Sequence, residues 1–132
     1  MPQTKMEKEN LPAGFKYPEE YLHFVDSQKM KNGSLNGLPP WVFAADELWA
    51  LEESEQVFGV RLVPFAQAEH QDKFAYFNSQ KSSEIWVANP WGEVVVNKYD
   101  NFMVWFEEIK KESAIFVVEN PQYQCEFWYG NA

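Results

Sequence analysis

The stretch RLVPFAQAEHQDKFAYFNSQKSSEIWVANPWGEVVVNK, residues 61–98, decides the fold of this chain. It contains four short segments rich in valine, isoleucine and aromatic residues, the residue types that favour β-strands. Short polar turns of the hairpin kind separate these segments. Because consecutive strands with short connections pair antiparallel, the stretch predicts a meander of strands at 61–66, 73–78, 84–88 and 93–98.

Helix signals flank this stretch on both sides. Pro18, Glu19 and Glu20 are typical of a first helical turn and predict a helix over 17–25. A second helix is predicted over 46–57, with a short strand at 41–44 before it. A third helix is predicted with Asp100 as its N-cap, because large apolar residues then recur at helical spacing: Phe102, Trp105, Phe106 and Ile109.

The two ends of the chain differ in character. Residues 1–10 are polar and are predicted to be a flexible tail. A continuous apolar run at 114–118 and alternating residues at 122–129 predict a C-terminal strand extension within 112–132. Residues 11–132 are therefore expected to form a single α+β domain, with an antiparallel sheet of about five to six strands and helices packed on one side.

Composition limits the class of partner. The chain has 132 residues, 17% of them aromatic, which suits one packed core. Its net charge is −9, from 11 Lys and Arg against 20 Asp and Glu. Nucleic acids and anionic membranes attract clustered positive charge, so this balance argues against both and is compatible with a basic protein partner.

No apolar leader and no run of about 18 apolar residues occurs, so we expect a soluble, cytoplasmic protein.

Side chains that could carry catalysis are few. His70 stands with Glu69 and Asp72 in one loop, a set that is more simply a solvated turn than a metal or proton-transfer site. His23, beside acids on a predicted helix, has the spacing of ordinary surface charge pairs. Cys125 lies on the apolar side of the predicted last strand, where a thiol acts as a small hydrophobe. We predict no catalytic residue, no metal site and no cofactor.

Negative charge concentrates in one segment. Residues 32–60 contain no Lys or Arg but hold five acids: Asp46, Glu47, Glu52, Glu53 and Glu55. Two interpretations are open, a solvated helix face or a docking surface for an electropositive partner, whose complementary charge would speed encounter. Under the second, these five acids are partner contacts.

Three tryptophans lie off the predicted core stripes, in or beside loops: Trp41, Trp49 and Trp91. Tryptophan near a surface usually packs locally or anchors a partner, and for each of the three both roles are open. We predict Trp49 and Trp91 as the anchors of a partner-binding surface.

The order of these segments resembles the SUKH superfamily, also called the Smi/Knr-like family, of small α+β proteins. The resemblance covers about residues 11–110 and is carried by Leu11-Pro12 before the first helix, Asn32-Gly33, Trp41-Val42-Phe43, Asp46-Glu47-Leu48, Leu62-Val63-Pro64-Phe65-Ala66, Asp72-Lys73-Phe74-Ala75-Tyr76, Ile85-Trp86-Val87 and the helix at 102–109. Where the family usually has glycines, this chain has Glu69-His70-Gln71.

The resemblance implies an immunity protein, since many bacterial members of the family bind and neutralise a cognate toxin, often a nuclease. It brings no catalytic motif. Nucleases are commonly basic because they grip phosphate, which agrees with the acidic charge of this chain. The leading prediction is thus a non-enzymatic, toxin-binding domain. The alternatives are an adaptor domain that binds an endogenous protein, and a small-molecule-binding or hydrolytic domain that uses Glu69, His70 and Asp72.

Overall fold

The computed structural model describes residues 4–27, 38–68 and 72–121. After a short 3-10 helix at Lys8–Asn10, the elements follow in the order α1 (Glu19–Ser27), β1 (Trp41–Phe43), α2 (Leu48–Phe58), β2 (Leu62–Ala68), β3 (Lys73–Asn78), β4 (Lys81–Asn89), β5 (Val94–Tyr99) and α3 (Phe102–Glu119). The five strands form one sheet in the order β1-β2-β3-β4-β5, with every neighbouring pair antiparallel. The predicted α+β class with an antiparallel meander is confirmed.

The two faces of the sheet carry two clusters of buried side chains. Residues alternate along β3, so Ala75 and Phe77 join the first cluster while Phe74 and Tyr76 join the second. The first cluster is the larger and takes its helical side chains mainly from α1 and α3: Tyr21, Phe24, Phe102, Trp105, Phe106 and Ile109. Helices α1 and α3 therefore pack on one face, as expected.

Helix α2 stands beside β2 and contributes to both clusters, with Leu51 in the first and Ala50 in the second. Strand β1 pairs only with residues 66–68 of β2, which leaves the start of β2 without a strand on that side. There the Ser54 hydroxyl accepts a hydrogen bond from the Leu62 N–H at 2.9 Å and donates to the Leu51 carbonyl at 2.6 Å. A buried backbone donor is thereby satisfied by a helix in place of a strand.

The C-terminal prediction is wrong for residues 114–118, which continue α3 instead of forming a strand. A continuous apolar run does not distinguish helix from strand by periodicity, and here the buried face of the helix runs on through Ile109 to Ser113. The N-cap is Asn101, one residue after the predicted Asp100, because the Asn101 side chain accepts from the Val104 N–H. The strand predicted at 122–129, with Cys125, lies outside the described residues.

The flexible tail over residues 1–10 stays a prediction. The structure describes this segment from Thr4 onward and packs part of it against the first cluster. Met6 is buried in the first cluster, and its N–H donates to the Tyr17 hydroxyl at 2.8 Å. The Tyr21 hydroxyl donates to the Thr4 carbonyl at 2.5 Å. Tyrosine hydroxyls need partners when their rings are buried, and this segment supplies them.

Candidate functional site

Trp49 of α2 and Trp91 of the turn between β4 and β5 pack against each other, although they lie far apart in sequence. Their ring centroids are 5.5 Å apart with an angle of 43° between the planes. Both rings lie on Phe74 of β3, at 5.5 Å for Trp49 and 5.9 Å for Trp91. The structure therefore brings the two predicted anchors together over one buried phenylalanine.

Both rings keep much of their surface in solvent. The exposed fraction is 41% for Trp49 and 54% for Trp91, whereas Phe74 beneath them is 1% exposed. Local packing thus accounts for the inner side of each ring, and the outer side remains available to a partner. Trp41 differs, because it is 1% exposed and packs edge-on against Trp105 at 5.3 Å. Of its two open roles, Trp41 has the core role.

One hydrogen bond orients the Trp49 ring, and another closes the turn that carries Trp91. The Trp49 indole N–H donates to the Glu47 carboxylate at 2.6 Å, which fixes the orientation of the ring. The turn that carries Trp91 is closed by the Asn89 side chain, whose Oδ1 accepts from the Gly92 N–H at 2.9 Å. The aromatic surface is therefore arranged before any partner arrives.

Two further acids lie on the same face of α2 as Trp49. Glu52 and Glu53 follow it at i+3 and i+4, the spacings that bring helical side chains together. Glu52 is exposed and Glu53 half-buried. Burial, together with the negative charge of Glu53, raises the pKa of the buried Tyr76 hydroxyl, so this carboxylate lies near the second cluster. We refer to Trp49, Trp91, Glu47, Glu52 and Glu53 as the tryptophan–glutamate patch.

The remaining predicted contacts lie outside this patch. Glu55 is six residues after Trp49, about 120° further round the helix. Its carboxylate pairs with Arg61 at 3.2 Å, and both side chains are largely exposed. Asp46 is exposed in the turn that leads into α2. The five predicted acids therefore do not form one cluster. Glu47 bonds to Trp49, and Glu52 and Glu53 share its helix face by their spacing.

A second tryptophan arrangement, on β4, was not predicted from the sequence. The Trp86 indole N–H donates to the Glu84 carboxylate at 2.8 Å, and the Lys98 ammonium lies 4.0 Å from the Trp86 ring centroid. Asn78 donates to the same carboxylate at 2.9 Å, and these hydrogen bonds lower the pKa of Glu84. The signal was present in the sequence, because Glu84 and Trp86 share a strand face at i, i+2. The position of Lys98 opposite Trp86 depends on the strand register, which the sequence did not predict.

The residues of the hydrolytic alternative fall largely outside the described part of the chain. Glu69 and His70 are not described, and Asp72 is exposed in a left-handed backbone conformation with φ of 53°. His23 is exposed on α1. Within residues 4–27, 38–68 and 72–121, no three or more His, Cys, Asp or Glu side chains come together as metal ligands would.

Comparison with known proteins gives no relative: no family model, no curated protein and no solved structure matches this chain. The resemblance to the SUKH superfamily therefore stays a prediction. In the described segments, no helix has both the length and the apolar character needed to cross a bilayer.

Proposed function

We propose that this chain is a non-enzymatic protein-binding domain that captures a basic protein through the tryptophan–glutamate patch. The observation that carries the proposal is the exposed contact between Trp49 and Trp91, set beside three carboxylates. Tryptophan is among the residues that most often dominate the free energy of protein–protein binding. Exposed tryptophans that already pack on a buried ring offer a large contact area to a partner.

Rigidity supports this role. Binding is weakened by the entropy lost when side chains become ordered at the interface. The Trp49 ring is already held by Phe74, Trp91 and the Glu47 carboxylate, so little further ordering is needed. A surface of this kind is suited to tight binding with a modest contact area.

Charge supports a basic partner. The whole chain carries −9, and Glu52 and Glu53 add negative charge on the helix face that carries Trp49. Complementary charge raises association rates by about 10- to 1000-fold for steered complexes. It also disfavours partners of the same sign.

Among basic partners, we propose a cognate bacterial toxin, in line with the SUKH-like order of the sequence. A nuclease toxin would have a phosphate-binding groove of positive potential, and an acidic protein can bind over this groove and block it. Rapid capture is useful in this role because the toxin must be bound before it acts. The second candidate, an adaptor for an endogenous basic protein, uses the same patch and differs only in the partner.

The proposal is tested with a toxin domain encoded beside the gene for this chain, if the neighbouring genes include one. Association is followed by stopped-flow fluorescence at several salt concentrations, for the wild type and for Glu52→Lys/Glu53→Lys. We expect the variant to associate roughly 10-fold more slowly or worse, with a flatter salt dependence. The matched control is Glu7→Lys/Glu9→Lys, which changes the net charge equally at two exposed acids before α1.

Equal slowing in the two variants would mean that only total charge matters and would remove the patch from the proposal. Unchanged kinetics in both would remove electrostatic capture altogether. If no toxin gene adjoins the gene for this chain, the same pair of variants is compared against the basic protein that the wild type captures from its own cells. Loss in the patch variant alone then favours the adaptor role.

A further inference from the structure

The arrangement around Trp86 shows what the patch lacks. At Trp86 a carboxylate accepts the indole N–H and a cation, the Lys98 ammonium, lies over the ring. Trp49 has the same kind of carboxylate partner, because the Glu47 carboxylate accepts a hydrogen bond from its indole N–H at 2.6 Å. Across the described ranges, the side-chain cations found over aromatic rings lie at Trp41, Trp86 and Phe106, and none lies over Trp49 or Trp91.

A cation over Trp49 and Trp91 would be favoured for two reasons. The face of an indole ring carries negative charge density, and a carboxylate on the indole N–H adds to the attraction. Glu52 and Glu53 lie on the same helix face as Trp49, and their carboxylates can accept hydrogen bonds from the cation. The outer sides of both rings are exposed and no cation of the described ranges lies over them, so this surface is open to a cation of a partner.

We propose that an arginine side chain of the partner stacks on Trp49 and Trp91 and donates hydrogen bonds to Glu52 or Glu53. This inference rests on the proposed function and names the chemical group that the patch recognises. The guanidinium group is planar, is weakly hydrated and presents several donors in a fixed fork. Two adjoining rings inclined by 43° offer a broad aromatic surface that suits a plane better than a point charge. The lysine ammonium is compact and strongly hydrated, so it gains less there.

The test uses two synthetic probes, an arginine–glycine repeat peptide and a lysine–glycine repeat peptide of equal length and charge. Their affinities for the full chain are measured by isothermal titration calorimetry. We expect the arginine peptide to bind about 2- to 30-fold more tightly. Trp49→Leu/Trp91→Leu keeps apolar contact with Phe74 but removes both indole faces, and should abolish the difference between the peptides.

The matched control is Met103→Ala/Val104→Ala, which removes exposed apolar surface from α3 and should leave the arginine preference intact. Circular dichroism reports whether each variant is folded. If the double tryptophan variant unfolds, Trp91→Leu alone is used, because Trp91 is the more exposed ring, and it should reduce the preference.

Equal binding of the two peptides, no binding of either, or an arginine preference that survives loss of the tryptophans would overturn the inference. These outcomes are separate from failure of the proposed function. A basic protein whose capture depends on Glu52 and Glu53 but not on the two tryptophans would uphold protein binding and exclude the arginine anchor.

Discussion

The Glu20 carboxylate of α1 accepts a hydrogen bond from the backbone N–H of Phe102, the first residue of α3, at 3.0 Å. The first N–H groups of a helix have no partner within the helix, and negative charge is favourable at that end. A residue of the first helix thus caps the last one, and joins the two helices that cover the same sheet face.

Glu20→Ala should lower the free energy of unfolding by about 1–2 kcal/mol, since it removes this cap and its charge. Urea denaturation measures the loss. Glu19→Ala is the control, because its side chain is exposed in the same helical turn and its removal should change stability by less than about 0.5 kcal/mol. Equal losses in the two variants would show that the hydrogen bond from the Phe102 N–H to Glu20 adds no measurable stability.

Trp105→Ala should lower the free energy of unfolding by about 3–5 kcal/mol, because it empties the largest buried volume on α3. Trp105 is fully buried against Phe65 at 5.0 Å and Trp41 at 5.3 Å. Its indole N–H is buried without a hydrogen-bond partner among the described residues. Trp105→Phe should therefore be clearly milder than alanine, since it keeps most of the packing and removes the unpaired donor. A near-zero effect of Trp105→Ala in denaturant would contradict the placement of α3.

Glu112 on α3 should make the free energy of unfolding fall as the pH rises. Burial raises the pKa of its carboxyl, although Lys73 at 4.0 Å opposes the shift. A raised pKa in the folded state means that stability is greatest when the group is protonated and falls as the pH rises through that pKa. Glu112→Gln should therefore gain stability relative to the wild type between about pH 4 and pH 7. Urea denaturation across this range measures the difference between the two proteins, and a difference that stays constant with pH would contradict the assignment.

Glu84 should have the opposite effect, because it makes the free energy of unfolding fall as the pH falls. Hydrogen bonds from Trp86 and Asn78 lower the pKa of its carboxyl below the ordinary 4.5. The stability that Glu84 contributes is therefore present above that value and is lost as the pH falls through the lowered pKa. Glu84→Gln should be less stable than the wild type at neutral pH and approach it in acid. Thermal melts at matched pH values test this, and a deficit that grows in acid would exclude it.

The sequence predicted the elements better than their contacts. The strands β2 to β5 and the apolar face of α3 from Phe102 to Ile109 follow from local residue patterns and were confirmed, whereas the predicted N-cap was one residue early. The helical continuation at 114–118 was missed, because an apolar run has no period that separates helix from strand. The anchoring of Met6 was missed as well, because it depends on the distant Tyr17 hydroxyl.

For the site, the sequence placed Trp41, Trp49 and Trp91 off the core stripes and left core and partner-binding roles open for each; it did not separate the buried Trp41 from the two exposed tryptophans. Their contact could not be predicted, because it depends on how the turn after β4 meets α2 in three dimensions. The grouping of the acids was also beyond the sequence. Glu55 belongs to the same acidic run as Glu52 and Glu53, yet its partner is Arg61, on the other flank of the helix.

The most direct test of the account is a hydrogen–deuterium exchange footprint of the full chain, free and in complex with its basic protein partner. We predict that amides in α2 and in the turn that carries Trp91 become protected in the complex, while those on the outer face of α3 around Val104 exchange as before. Protection on α3 or at the β5 edge, with α2 and the turn unchanged, would contradict the claim that this domain binds through its paired tryptophans.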